Sequence, residues 1–260
     1  MNKISRAFEN KKALIAYLTA GDPYLDKTKE YILAMAQSGA DLIEIGIPFS
    51  DPVAEGTVIQ SAMERALKNE INIDDIFHIA AQIEKEALPL SLPPLVFMTY
   101  LNPVLSYGYE KFFKKCKETG ISGIIVPDMP FEEQDEIKTI ANKNDIAVIT
   151  LIAPTSNERI STLAKNAQGF IYLVSSLGVT GTRDKITTDI GAIVSQIRKE
   201  TKIPIAVGFG ISSPEQAKEM VKYADAAIIG SAIVKIISEN NENTLKNLKD
   251  FVLSVKKELL

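Results

Sequence analysis

The sequence predicts an α/β fold in which about eight strand–helix units close into a single (β/α)8 barrel. Short apolar runs of strand length alternate with longer amphipathic stretches, which is the rhythm of a parallel sheet connected by helices. About eight units is the number that closes such a barrel. The 260 residues contain no linker-like segment, so one domain is expected over residues 1–260. The strand candidates are residues 14–18, 40–48, 95–98, 124–126, 147–152, 170–174, 205–207 and 226–229.

Three further helical segments complete the predicted barrel. Ile4 and Phe8 lie a turn apart and are expected to form an N-terminal plug at the barrel bottom. Residues 73–87 predict an additional helix, and the C-terminal segment predicts a closing helix. Their inward faces are expected to be Ile73, Ile76, Phe77, Ala80 and Ile83, and Leu245, Leu248, Val252, Val255 and Leu259.

Several helix starts are predicted from their caps. Thr57 with Gln60, and Thr155 with Glu158, fit the capping box, in which a hydroxyl and an acid or amide satisfy free backbone donors reciprocally. Ser213 precedes a proline, which favours the first helical position. The loops that precede these helices are therefore expected at one end of the barrel.

Composition and charge exclude several classes of function. A net charge of -4 and a pI near 5.3 argue against a nucleic-acid surface, which needs clustered Lys and Arg. Residues 1–12 lack a signal-peptide stretch, and no run has the length of a membrane span, so a soluble cytoplasmic protein is expected. Cys116 is the only cysteine, and it shares a helical face with Phe112 and Phe113, which predicts core packing.

Glu44 is an acid within the otherwise apolar run 40–48, and a second acid, Glu55, ends the following loop. A buried carboxylate is costly to keep ionised without a partner, and none of the other apolar runs carries a Lys or Arg. The pKa of Glu44 is therefore expected to be raised by desolvation, which suits proton transfer near neutral pH. A structural carboxylate bonded to backbone donors or water is the alternative.

Glycine turns follow three late strands, where barrels of this kind frequently bind phosphate. Gly210 lies in the turn after the run 205–207, Gly230 and Ser231 follow the run 226–229, and Thr180 and Gly181 follow the run 170–174. Glycine lets the backbone approach an anion, and helix N-termini offer free N–H donors. Together they predict a phosphate site, although each turn alone also has a steric explanation. A flat apolar group would suit the neighbouring side chains Tyr17, Tyr100, Ile152, Tyr172 and Phe209.

The absence of certain residue types limits the kinds of reaction that the chain could catalyse. No Lys stands at a strand end to form a Schiff base, and the single His78 shares metal-ligand spacing with no other ligand. Gly208 and Gly210 form only half of a dinucleotide-binding fingerprint. Proton transfer by carboxylates on a phosphorylated substrate remains, with no cofactor or metal in this chain.

Several motifs, in order along essentially the whole chain, resemble the tryptophan synthase alpha subunit family. The most specific is Glu44-Ile-Gly-Ile-Pro-Phe-Ser-Asp-Pro-Val-Ala-Glu-Gly56. The others are residues 18–23, 98–103, 126–130, 178–181 and 208–211.

The resemblance implies a TIM barrel that cleaves indole-3-glycerol phosphate to indole and glyceraldehyde 3-phosphate, a lyase of tryptophan biosynthesis. It implies a heterotetramer of two alpha and two beta chains, with pyridoxal phosphate on the beta subunit. By the same resemblance, Glu44 is the acid/base, Glu55 meets the indole N–H, and Tyr172 is the active-site tyrosine. Phosphate-binding positions match Gly181, Gly210, Gly230 and Ser231.

The chain departs from the family pattern at three positions. Glu55 stands where the family often has Asp, Thr57 where it often has Pro, and Tyr17 where Phe is common. Compared with Asp, the Glu55 side chain is one methylene longer and has one more rotatable bond, which changes how its carboxylate can reach the indole nitrogen. The Tyr17 hydroxyl needs a partner or water.

Two alternatives remain open from the sequence. One is another phosphate-binding barrel enzyme of amino-acid biosynthesis, such as an isomerase or an enzyme that forms indole-glycerol phosphate. The other is a non-catalytic alpha-like barrel that binds and activates a beta subunit. The loop with Pro48, Phe49 and Asp51 would suit docking to a beta subunit. Packing of Phe49 under its own loop is an equal alternative.

Overall fold

The centre of the protein is a parallel sheet rolled into a barrel. The computed structural model describes residues 3–9, 11–86, 92–174, 189–208 and 210–260. Within these ranges one sheet has nine strands in the order β5-β4-β3-β2-β1-β9-β8-β7-β6. The strands are β1 Ala13–Thr19, β2 Leu42–Gly46, β3 Leu95–Met98, β4 Ile121–Ile125, β5 Ala147–Val148, β6 Thr150–Ile152, β7 Ile171–Val174, β8 Ile205–Gly208 and β9 Ala226–Ile229.

The first and last strands of the sheet meet in one stretch of chain. β5 pairs with β4 and β6 pairs with β7, yet only Ile149 separates β5 from β6. The Ile149 N–H still bonds the carbonyl of Ile124 in β4, at 2.9 Å. The predicted run 147–152 is thus one barrel stave split at Ile149, and the predicted eight-stave (β/α) barrel is confirmed.

Helices surround the sheet. They are α1 Lys3–Arg6, α2 Leu25–Gln37, α3 Thr57–Leu67, α4 Ile73–Glu86, α5 Leu101–Tyr107, α6 Tyr109–Glu118, α7 Asp135–Lys143, α8 Ile160–Lys165, α9 Ile190–Glu200, α10 Pro214–Val221, α11 Ser231–Ser238 and α12 Thr244–Leu259. Two 3-10 turns span Phe131–Glu133 and Pro154–Arg159. Among these described segments, no helix is long and apolar enough to cross a membrane.

Alternation along each strand separates two apolar layers. In β3, Val96 and Met98 pack inside the barrel, whereas Leu95 and Phe97 pack against the helices. Both faces are covered, which is why the strands read as continuous apolar runs.

The predicted helical faces are confirmed. Phe77 and Ile83 of α4 are buried, as are Phe112, Phe113 and Cys116 of α6. The buried face of α12 is Leu248, Val252, Val255 and Leu259, with Leu245 partly buried.

The N-terminal plug is confirmed as well. Ile4 is fully buried among the inward side chains, and the ring of Phe8 lies 5.8 Å from that of Phe170. The plug fills the bottom of the barrel and leaves the opposite end, where the strands terminate, for the site.

Two of the three predicted helix caps are wrong. Thr57 is already the first residue of α3, whose cap is Gly56 without a side-chain bond, and the Gln60 amide bonds the Glu55 carbonyl instead. Residues 154–159 form a 3-10 turn, so Thr155 does not begin an α-helix. The cap at Ser213 is confirmed, because its side chain accepts the Gln216 N–H at 3.3 Å.

One buried acid fastens the last helix to the barrel bottom. Asp41, which directly precedes β2, accepts hydrogen bonds from Nζ of Lys11 at 2.5 Å and from Nζ of Lys256 at 2.6 Å. It also accepts the Leu14 N–H at 2.8 Å. β1, β2 and α12 are therefore joined at a single carboxylate.

Candidate active site

Two buried carboxyl groups face one small cavity at the carboxyl end of the strands. Glu44 is the central residue of β2, and Glu55 ends the following loop just before α3; each is 1% exposed. The cavity measures about 30 Å³ and, within the described chain, is lined by no Lys or Arg. Its described lining residues are Tyr17, Glu44, Glu55, Ile59, Met98, Tyr172, Gly210, Ile211, Ile228, Gly230 and Ser231.

Glu44 is held in its neutral form. Burial, and secondarily the charge of Glu55, raises the pKa of Glu44 to about 8. Its Oε2 atom has no hydrogen-bond partner among the described residues. No described backbone group therefore satisfies this oxygen, and with its raised pKa Glu44 can carry a proton near neutral pH.

Tyr100 holds the loop that carries Glu55. Its buried hydroxyl bonds the Glu55 side chain and accepts the Ala54 N–H at 3.2 Å. Its ring stacks on Phe49, with centroids 5.3 Å apart. Tyr100 was predicted to bind substrate. It is not among the described residues that line the cavity, but it contacts Glu55, which is.

Tyr17 of β1 and Tyr172 of β7 both line the cavity, and each lies beside a glycine of the adjacent strand. A Cβ atom added to Gly46 would lie 2.2 Å from the Tyr17 hydroxyl, and one added to Gly208 would lie 2.6 Å from that of Tyr172. Each phenol thus lies over a glycine that ends a neighbouring strand. Burial raises the pKa of both hydroxyls, with added contributions from Glu44 and Glu55, so both remain protonated donors.

The other end of the cavity is glycine backbone at the start of a helix. Gly230 precedes α11 and Ser231 is its first residue, so free N–H groups of the first turn lie there. Gly210 has φ +84°, a conformation that favours glycine. The structure therefore brings together three predicted phosphate positions. Thr180, Gly181 and Phe209 lie outside the described residues.

The apolar walls differ in part from the prediction. Ile152 packs in the outer layer with residues of α8 and α9, because it is the neighbouring Leu151 that shares the inward layer with Tyr172. Ile59, Met98, Ile211 and Ile228 line the cavity but were not predicted. Side-chain alternation within β3 and β9 could have identified Met98 and Ile228.

The predicted docking loop has its apolar tip at a different residue. Phe49 is half-buried against Tyr100, and Pro48 is half-buried, while Asp51 is exposed and accepts the Ser50 hydroxyl at 2.5 Å. Val53 is 72% exposed and was not predicted. Packing of Phe49 under its own loop, which the sequence left open, is what the structure shows.

Metal ligation finds no support in the described ranges. No group of three or more His, Cys, Asp or Glu side chains there could hold an ion. His78 is exposed on α4 and contacts Gln82 at 2.8 Å.

The fold and the cavity define a class: a (β/α)8 barrel that pairs a neutral and a second buried carboxyl group at its strand ends. The family model for "Tryptophan synthase alpha chain" matches residues 4–259. The chain belongs to the tryptophan synthase alpha chain family.

Individual relatives agree over the full length. The tryptophan synthase alpha chain of Caldanaerobacter subterraneus subsp. tengcongensis is 44% identical, with 100% of both chains covered. That of Lacticaseibacillus casei is 43% identical over 98% of this chain and 95% of the relative. The crystal structure of the Legionella pneumophila alpha chain has a TM-score of 0.88 at 36% identity, covering 100% of this chain and 97% of that one. A Mycobacterium tuberculosis tryptophan synthase structure has a TM-score of 0.89 at 31% identity, covering 99% and 98%.

Proposed function

We propose that this chain cleaves indole-3-glycerol phosphate to indole and glyceraldehyde 3-phosphate, with Glu44 as the acid/base. The observation that carries the proposal is the neutral Glu44 carboxyl group, buried beside Glu55 in a cavity that ends in glycine backbone. An exposed carboxylic acid, with a pKa near 4.3, would have lost its proton at neutral pH.

The chemistry needs one proton delivered and one removed. Glu44 donates its proton to indole C3, which makes the ring a cationic leaving group. The Glu44 carboxylate then accepts the proton of the glycerol hydroxyl next to the ring. The bond from C3 to the glycerol carbon breaks, its electron pair returns to indole, and the hydroxyl carbon becomes the aldehyde. Glu44 ends protonated again, so the cycle balances without a cofactor.

The other residues hold the substrate and its charge. Glu55 accepts the indole N–H and opposes the positive charge that develops on the ring. Tyr17, Tyr172 and Phe209 contact the flat apolar ring. The N–H groups around Gly210, Gly230 and Ser231, together with Thr180 and Gly181, bind the phosphate.

Assembly with a tryptophan synthase beta subunit is part of the proposal. Two alpha and two beta chains form the complex, with pyridoxal phosphate on the beta subunit and the whole chain acting as one cytoplasmic domain. The exposed Val53 and the loop from Pro48 to Asp51 form the contact. Because this loop leads to Glu55 through Tyr100, docking is expected to order the loop and raise the lyase rate.

Indole release by the purified chain tests the activity. The expected result is release that glycerol phosphate inhibits and that a beta subunit stimulates. Release by neither the chain nor the complex would leave only a non-catalytic barrel that activates its partner.

The docking surface has its own test. Val53→Asp should reduce stimulation by the beta subunit at least severalfold while the basal rate stays unchanged. Leu253→Asp, at an exposed residue of α12, is the matched control. Equal stimulation of the Val53 variant and the unmodified chain would exclude this loop as the contact.

A further inference from the structure

The two buried acids of the cavity are held in place in different ways. Glu44 lies within β2, which pairs with β1 on one side and with β3 on the other. Glu55 lies in residues 51–56, which belong to no strand or helix, since α3 begins only at Thr57. The place of the Glu55 carboxyl group therefore depends on how neighbouring elements hold the backbone that carries it.

Gln60 of α3 binds this backbone twice. Its side-chain amide donates to the Glu55 carbonyl oxygen at 2.7 Å, and its own N–H donates to the Gly56 carbonyl oxygen at 3.0 Å. The cap residue Gly56 contributes no side-chain bond to this helix start. One residue of α3 thus holds two consecutive carbonyl groups, and the first of them belongs to the acid.

The helix that carries Gln60 is fixed to the barrel. Ile59, the residue before Gln60, is buried and lines the cavity. Arg65, one turn further along α3, donates to both carboxylate oxygens of Asp22 at 2.7 and 2.8 Å. Asp22 follows β1 and is 1% exposed, and a two-bond arginine pair fixes direction as well as distance. An amide on α3 is therefore held at a defined place relative to the strand ends.

The bond from Gln60 acts next to the point where the acid side chain leaves the backbone. The carbonyl carbon of Glu55 is bonded directly to its Cα, so the direction of this carbonyl sets the direction of the side chain. On the other side of Cα, the Ala54 N–H donates to the Tyr100 hydroxyl at 3.2 Å. The backbone around Glu55 is thus held from α3 on one side and from the end of β3 on the other, which keeps a functional group in place.

We propose that Gln60 is a positioning residue for Glu55: its amide holds the Glu55 carbonyl and thereby directs the Glu55 carboxyl group into the cavity, against the N–H of the substrate ring. This rests on the proposed lyase function. Gln60 is not among the described residues that line the cavity, so it acts through Glu55 and not on the substrate.

Two substitutions at Gln60 test the need for a donor. Gln60→Met keeps the length of the side chain and removes the donor, so kcat for indole release should fall about fivefold, with KM within about twofold. Gln60→Glu keeps the shape but places an acceptor against the carbonyl, so kcat should fall at least as far. A packing role alone predicts the opposite order, because Glu is closer to Gln in size than Met is.

A double-mutant cycle shows whether the effect passes through the acid. Glu55→Ala removes the side chain that Gln60 is proposed to direct, so Gln60→Met in that background should change kcat by less than about twofold. If Glu55→Ala releases too little indole to compare, the order of the two Gln60 variants decides alone. Gln82→Met, the same change on α4 where the amide contacts His78, is the matched control and should leave kcat and KM unchanged. Urea unfolding verifies that every variant is folded under the assay conditions.

The outcomes separate the two proposals. The positioning role is overturned, and the lyase function left intact, by an unchanged kcat in Gln60→Met, by a Gln60→Glu chain that is more active than Gln60→Met, or by an equal loss in the Glu55→Ala background. A chain that releases no indole, alone or with its beta subunit, overturns both.

Discussion

Glu44 shows how one residue in an unsuitable environment acquires a chemical role. Its neighbours in β2 are apolar, and its carboxyl group is neutral because water is excluded. Glu44→Gln keeps the shape and removes the proton. We expect kcat for indole release to fall about a thousandfold, within the usual 10²–10⁴ for acid–base groups, with little change in substrate affinity.

Single-turnover indole release measures this effect. Glu64→Gln, the same substitution at an exposed position of α3, is the control and should retain the full rate. Near-normal chemistry in Glu44→Gln would falsify its assignment as the acid.

The pKa of Glu44 also predicts a pH dependence of stability. The folded-state value is about 8, whereas an unfolded glutamate titrates near 4.3. Between these values the folded state binds more protons than the unfolded state, so this group makes the protein less stable as pH rises. Relative to the wild type, Glu44→Gln should therefore gain a few kcal/mol of unfolding free energy from about pH 4.5 to about pH 8.

Urea unfolding of both proteins across this range provides the measurement. Below about pH 3 the difference should be constant, since the acid is then protonated in both states. A difference that does not change with pH would mean that Glu44 ionises normally. The kcat/KM of the wild type should correspondingly decline above about pH 8, where the acid loses its proton.

The role of a residue could be predicted from the sequence where it follows from burial alone. Glu44 stood out because its strand was apolar and carried no cation. Tyr100 was assigned to the substrate, since nothing in the sequence shows that its hydroxyl reaches back to Ala54 and Glu55. Ile152 was assigned inward because strand-end position was considered without side-chain alternation across the break at Ile149.

At the scale of single elements, the start of α10 offers a clean energetic test. The Ser213 side chain accepts the Gln216 N–H and satisfies one of the free donors of the helix. Ser213→Ala should lower the unfolding free energy by about 1 kcal/mol. Ser195→Ala in α9 is the control, because Ser195 only donates to the Gly191 carbonyl within its helix, and its effect should stay within about 0.5 kcal/mol.

Urea denaturation of the two serine variants distinguishes capping from general loss of a hydroxyl. Equal changes would show that the Ser213 bond contributes nothing as a cap. The other two predicted caps show why such motifs mislead: Gly56 enters α3 in an extended conformation with no side chain, and Gln60 finds the Glu55 carbonyl instead. The capping-box motif identified neither the cap residue of α3 nor the hydrogen-bond partner of Gln60.

For the whole molecule, Asp41 is the point where the end of the chain joins its beginning. It binds Lys11, Lys256 and the Leu14 N–H, and its side chain is 6% exposed. Asp41→Ala removes the shared acceptor of two cations and an N–H, but Lys11 is 38% exposed and Lys256 still reaches the Lys12 carbonyl at 3.3 Å. We therefore expect a loss of about 2 kcal/mol, below that of a fully buried pair. Hydrogen exchange should quicken first in α12.

The double variant Asp41→Ala/Lys256→Met provides the control. Removing the cation together with the acid should recover part of the stability, since the residual cost is that of an uncompensated charge. Exchange that accelerates equally throughout the barrel would contradict a local role at α12.

The architecture was more predictable than the site. All eight predicted apolar runs became staves, because burial on both faces leaves a strong and simple pattern. The break at Ile149 was not predictable, since residues 147–152 are uniformly apolar and the need to pair with β4 on one side and β7 on the other arises only when the barrel closes.

That break divides the molecule into two contributions of different kinds. Up to Val148 the sheet is continuous from β1 to β5, and this portion supplies both carboxyl groups, Glu44 and Glu55. From Thr150 onward the continuous set β6 to β9 supplies Gly210 and Gly230. Within the described part of the chain, strand pairing joins the two portions only between β1 and β9, and a peptide segment joins them at the other seam. Cleavage of the chain at Ile149 would make closure of the barrel depend on association of two fragments. One fragment would carry the two carboxyl groups and the other the proposed phosphate-binding glycines.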